Sequence, residues 1–232
     1  MKPPVRMSRL ALCACACVPL LTAAAQSAGE GKDYLKRVEA ALLLQTLNAD
    51  LLSHDSASLT LERWCSDHHL ASPARITAER VRDAEKPATD PQRQRLRLTA
   101  SDEVRYRRVR LRCGTVTLSE ADNWYVPTRL TPQMNRLLES TDTPFGIVVQ
   151  PLRFQRHTIA SELLWQALPA GWEMSSPAQT QPTSELCFPE EVLQHRALLT
   201  LSDGTPFSEV VETYTSSVLA VPRLAPSRRC DL

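Results

Sequence analysis

The 232 residues suffice for one domain with a sizeable core, or two small ones at a stretch. Lys and Arg number 27 against 26 Asp and Glu, a formal charge of +1, so no global electrostatic case for nucleic acid or an acidic membrane follows. Glycine is scarce (6) beside proline (17), and neither GxGxxG nor GxxxxGK[ST] occurs, which excludes a glycine-rich phosphate loop.

In chain order, residues 1–25 read as a secretory signal. Lys2, Arg6 and Arg9 precede an apolar run at 10–21 (LALCACACVPLL) that is too short to span a bilayer. Small residues follow, placing cleavage after Ala25 or as late as Ala28. Periplasmic or secreted localisation is expected, with no integral membrane segment after processing. Cleavage removes Cys13, Cys15 and Cys17; Cys65, Cys113, Cys187 and Cys230 remain and allow two disulfides in three pairings. There is no CxxC and no HExxH, and the pair His68-His69 reads as a solvated helix end, so no metal site is expected.

Apolar residues at three- and four-residue spacing predict an amphipathic helix over 34–52. After the polar turn 53–58, Ser58 reads as the cap of a second helix running through Trp64, which makes a helical hairpin. A strand is expected over 75–81 and an exposed loop over 83–94. Residues 105–113 alternate as a strand, with Val109, Leu111 and Cys113 on one face and Arg108, Arg110 and Arg112 on the other. Its partner runs over 115–126. Thr131 caps a short helix with Pro132 at its first position. The turn Thr143-Pro144-Phe145-Gly146 is expected to lead into a strand at 147–152. Residues 166–190 read as an irregular insertion tethered by Cys187, and 197–201 with 206–215 as a terminal hairpin. A polar tail, 223–232, closes the chain. Helices first and strands later predict an α+β class: a single antiparallel β-sheet with an N-terminal helical hairpin and short helices packed on it, one domain over 29–222.

Within this frame, an arginine of the 105–112 strand and Glu212 in the late, otherwise apolar and hydroxyl-rich strand suggest a pocket for a small anion, because a guanidinium is the natural partner of a planar carboxylate. Strand parity leaves the arginine open: if Val109 and Leu111 face the core, a role for Arg108 needs a bulge, and Arg107 or Arg110 could serve in its place. Glu209 is expected to be exposed at its strand start. Arg156 could reach a second carboxylate of a ligand or pair at the surface.

The order Ser58-Leu59-Thr60, an Arg-bearing strand ending at Cys113, Val126-Pro127, Leu130-Thr131, Thr143-Pro144-Phe145-Gly146 and Gly204-x-Pro206 with Glu212 resembles chorismate lyase over roughly residues 43–217. A related fold serves as the effector-binding domain of some bacterial transcription regulators. The resemblance implies a carbon–oxygen lyase that converts chorismate to 4-hydroxybenzoate and pyruvate without metal or organic cofactor, here in an exported, monomeric form. It implies Arg108 and Glu212 as catalytic residues, and substrate contacts at Leu59, Phe145, Arg156 and Arg110. The implied partner is a small anionic aromatic or cyclohexadienyl carboxylate. The alternative is a non-catalytic periplasmic domain that binds or senses an aromatic acid on the same fold.

Overall fold

A computed structural model describes residues 19–82, 84–175, 186–221 and 224, with backbone alone for 19–31. The first 18 residues of the expected signal, part of the expected insertion and most of the C-terminal tail lie outside the described residues. The first helix, α1 (Pro19–Leu52), is longer than its apolar periodicity predicts and runs through the expected cleavage positions. Its inward side is Arg37, Ala40, Leu44, Leu47 and Leu51, spaced three and four apart, so one stripe packs on the sheet.

After a four-residue break, α2 (Ala57–Asp67) begins at Ser56, whose side chain caps the helix; the cap falls two residues before the expected Ser58. Trp64 is buried on α2 and donates its indole N–H to the Val218 carbonyl at 3.0 Å. One residue further on, Cys65 is joined to Cys113, which staples α2 to the sheet. Cys187 is also disulfide-bonded, and Cys230 lies outside the described residues.

Six strands follow: β1 (Ile76–Arg80), β2 (Arg105–Cys113), β3 (Val116–Tyr125), β4 (Gln155–Leu163), β5 (Glu191–Thr200) and β6 (Pro206–Thr215). They form one sheet in the order β1-β2-β3-β6-β5-β4, with every neighbouring pair antiparallel. The α+β class with a single antiparallel sheet is therefore the one the element order predicts. Helices α1, α2, α4 (Pro132–Ser140) and α5 (Phe145–Val148) contribute to the two apolar clusters on its inner face.

Three expectations are corrected. Residues 147–152 do not form a strand. They lie in α5 and a 3₁₀ turn at Gln150–Leu152, where Pro144 and Pro151 remove the N–H donors that a ladder needs. The strand is β4, an edge strand with most residues exposed, which is why its alternation is faint in the sequence. Within the expected loop 83–94, α3 (Asp90–Arg95) begins after Thr89, whose backbone N–H is accepted by the Gln92 side chain at 2.9 Å. The T-x-x-Q signal of a helix start was present at 89–92.

α3 explains the third correction. Glu209, expected to be exposed, is fully buried on the outer face of β6, where Arg95 of α3 meets both its oxygens at 2.8 Å and Arg196 adds a contact at 3.3 Å.

Candidate functional site

Register decides what each face of the sheet carries. Across the inner face Arg107 stands opposite Asn123, which pairs with Val210; Val109 stands opposite Ala121, which pairs with Glu212, itself beside His195. On β4, Arg156 pairs with Leu199. A cavity of ≈ 40 Å³ lies over these residues, roofed by Asp55, Ser56, Ala57 and Ser58 at the start of α2 and by Phe145 and Gly146 of α5. Its walls are largely apolar: Val109, Leu111, Ala121, Phe154, Leu199 and Val210. The roof elements meet closely, since a Cβ on Gly146 would stand 2.7 Å from Ser56 Oγ. Glycine is required there by space.

Arg107 is the anomalous group. It is 4% exposed, its Nε has no hydrogen-bond partner, and its one side-chain hydrogen bond is a long 3.4 Å contact to the Thr143 carbonyl. Among the described residues no carboxylate comes within ion-pair distance of it. Burial, and then the neighbouring Arg80 charge, push its pKa down to about 10, with Tyr125 and the more distant Asp142 carboxylate opposing the shift. An arginine buried without a counter-ion is costly, because its desolvation goes uncompensated.

Glu212 and Arg156, by contrast, form an ion pair, although Arg156 Nε, like that of Arg107, has no hydrogen-bond partner. Arg156 donates to Glu212 Oε2 at 2.6 Å, with the two side chains 4% and 7% exposed, and the Tyr214 hydroxyl donates to the same oxygen at 3.2 Å. Burial opposes the Arg156 charge, but the Glu212 carboxylate offsets this and holds the pKa above its usual value. Asp55 accepts from the Arg156 backbone N–H at 2.9 Å, tying β4 to the turn before α2.

Next to this pair, His195 is fully buried. Its Nε2 lies 2.8 Å from Asn48 Oδ1 of α1 and 3.1 Å from Ser161 Oγ, while Nδ1 has no partner. Burial lowers its pKa to about 4, the nearby Arg156 charge adding to this and Glu212 opposing it, so the ring is neutral at ordinary pH.

The residues expected from sequence separate into two groups. Glu212, Arg156 and Phe145 converge on the cavity. Arg108 and Arg110 do not: they lie on the opposite face, where Arg108 meets Glu120 at 2.6 Å and Arg110 meets Glu120 at 3.1 Å and Glu79 at 3.7 Å. The strand is unbulged between Arg105 and Leu111, so the core-facing phase of Val109 and Leu111 carries inward to Arg107. Leu59 is absent from the lining, and its N–H is directed to the Ser56 cap at 3.4 Å. Asn123, Phe154 and His195 gave no sequence signal, since each acquires meaning only from register.

No protein-family model matches the chain. Solved structures with a similar fold include the possible transcriptional regulator YydK of Bacillus subtilis subsp. subtilis str. 168, 16% identical with a TM-score of 0.35, matching 62% of this chain and 58% of that one. The effector domain of PhnF from Mycobacterium smegmatis is 11% identical with a TM-score of 0.39, over 61% and 82% of the two chains. The C-terminal domain of the histidine utilization repressor from Pseudomonas syringae pv. tomato str. DC3000 is 13% identical with a TM-score of 0.39, over 62% and 93%. Thus this chain spans less than two thirds of YydK's length.

The expected identification as an exported chorismate lyase is corrected. The arginine assigned to catalysis, Arg108, faces away from the cavity and pairs with Glu120 on the other side of the sheet. In sequence, 50% identity over 189 residues, covering 81% of this chain and 80% of its relative, shows that the protein belongs to the same family as the uncharacterized protein y4mC of Sinorhizobium fredii (strain NBRC 101917 / NGR234).

Proposed function

We propose that the inner cavity binds a small organic anion and that the protein is a ligand-binding domain of the non-catalytic kind. The observation that carries this reading is Arg107, a buried guanidinium with no carboxylate within ion-pair distance among the described residues. A carboxylate beside it would remove the cost of the orphaned charge and gain charge-assisted hydrogen bonds. The apolar walls suit a flat hydrocarbon body, and the first N–H groups of α2, which have no intrahelical acceptor, suit a polar group at the roof.

Glu212 favours binding over proton transfer. Its Oε2 already accepts from Arg156 and Tyr214, which fixes the carboxylate in the wall as their acceptor. The cavity is far below the few hundred Å³ typical of ligand pockets, so a ring-sized guest requires α5 and the start of α2 to move outward. The staple at Cys65 holds the other end of α2, which leaves the Ser56 end as the one free to swing.

Calorimetric titration of the full chain with benzoate and 4-hydroxybenzoate tests the reading. Saturable binding, lost in Arg107→Met, is the expected result. Failure of both acids to bind, or binding that survives Arg107→Met, would remove it. For the compartment, we propose an oxidising one, supported by the Cys65–Cys113 disulfide. Thiol alkylation of freshly isolated protein checks this: labelling of Cys65 and Cys113 without prior reduction contradicts it.

A further inference from the structure

Arg107 borders two spaces. Besides the inner cavity it lines a cleft of ≈ 800 Å³ bounded by residues 81–82 and 84–88, the start of β2 and the end of α4. The cleft exists because β1 stops at Arg80, paired with Val109, while β2 continues back to Arg105 without a β1 partner. The 84–88 segment is held at the outer face. Trp124 donates its indole N–H to the Lys86 carbonyl at 2.8 Å, and Lys86 Nζ meets Asp122 at 3.1 Å. Unlike the inner cavity, this volume falls within the range of small-molecule pockets.

The cleft is lined by six cationic side chains, which are not equally matched. Lys86 and Arg108 are paired to Asp122 and Glu120, and Arg105 to Glu103 and Glu139. Arg80 donates only to the backbone carbonyl of Glu139, at 2.7 Å. Among the described residues, no carboxylate lies within ion-pair distance of Arg80, Arg82 or Arg107, although Glu85 and Glu139 stand at the lining. Arg80 is near enough to Arg107 for its charge to disfavour the charged form of that side chain, after burial. Two guanidinium groups that repel each other, one of them buried, become attractive partners once an anion lies between them.

We propose that this outer cleft is a second compartment of the same ligand site, so that the ligand carries at least two negative charges, one met by Arg107 and the next by Arg80 and Arg82. The proposal rests on the anion-binding reading of Arg107 and narrows its ligand class. The second charge comes from a further carboxylate or from a phosphate, and both offer the oxygens that guanidinium groups bind in pairs.

Titration of the full chain at low salt with benzoate, isophthalate and phenyl phosphate provides the test. A dianion should bind roughly tenfold more tightly than benzoate, the equivalent of one partly screened charge-assisted contact. Preference for isophthalate identifies a carboxylate and preference for phenyl phosphate a phosphate; either supports the proposal. In Arg80→Gln/Arg82→Gln the preference should fall to within about twofold, while Arg75→Gln/Arg93→Gln, which removes the same charge elsewhere, should keep it. Equal binding of all three probes, or a preference untouched by Arg80→Gln/Arg82→Gln, overturns the second compartment but leaves the Arg107 site standing. If none of the three binds, the anion-binding reading falls and this proposal with it.

Discussion

Arg107 and Arg108 are adjacent residues of one strand and live in opposite electrostatic worlds. Arg108 projects from the outer face into a ladder in which Arg108, Arg110 and Arg112 alternate with Glu120 and Glu79, all partly wetted. Arg107 projects inward, 4% exposed and unpaired. The outer ladder is a stabilised surface in which each charge has its partner and water screens the remainder. Among the described residues the inner face instead holds the Arg156–Glu212 pair and the buried Arg107, which has no carboxylate within ion-pair distance. The contrast teaches that arginine count on a strand says little; parity against the core decides whether an arginine joins a wetted ladder of ion pairs or is buried.

The largest effect should come from breaking the matched pair. Arg156→Met strands the Glu212 carboxylate in an apolar wall and should cost about 3–5 kcal/mol in urea unfolding. A loss under about 1 kcal/mol would mean that the pair is effectively solvated.

The pH dependence should be next. His195 has a folded-state pKa of about 4, below its unfolded value, so below pH 6.5 the unfolded chain takes up a proton that the folded chain refuses. Stability is full above about pH 6.5 and falls as pH drops toward 4, by at most about 1.4 kcal/mol per pH unit. Denaturation midpoints at pH 7, 6 and 5 for wild type and His195→Gln check it; identical slopes would remove His195 as the cause.

A smaller effect, of opposite sign, belongs to Arg107. Arg107→Met removes an unpaired buried charge and should raise ligand-free stability by about 1–2 kcal/mol while abolishing anion binding. A structural arginine would behave the other way, so a clear destabilisation in the absence of ligand erases the contrast between the two faces. Smallest of all, Arg108→Ala should change stability by no more than about 0.5 kcal/mol, less at high salt, and leave anion affinity untouched.

Much of the architecture was legible from the order of residues. The three–four spacing behind α1, Thr131-Pro132 at the start of α4, the alternation of β2 and the turn before β6 are local signals, because each element is specified by its own periodicity, caps and turns. Strand β4 escaped because an edge strand with little burial has no alternation to display, and α3 because a six-residue helix leaves room for a cap but not for a period.

The candidate site divides along the same line. Glu212, Phe145 and the involvement of Arg156 could be named from motif and composition, and the phase of Val109 and Leu111 already pointed to Arg107 as an alternative to Arg108. What residue order could not hold is the meeting of distant segments. Glu212 finds Arg156 across 56 positions, Asp55 finds the Arg156 amide across 101, and the inner face closes only when β6 inserts between β3 and β5. Local sterics and periodicity choose helix or strand residue by residue. Which buried charge obtains a partner and which remains without one depends on register between strands, and register is settled by packing the whole sheet at once.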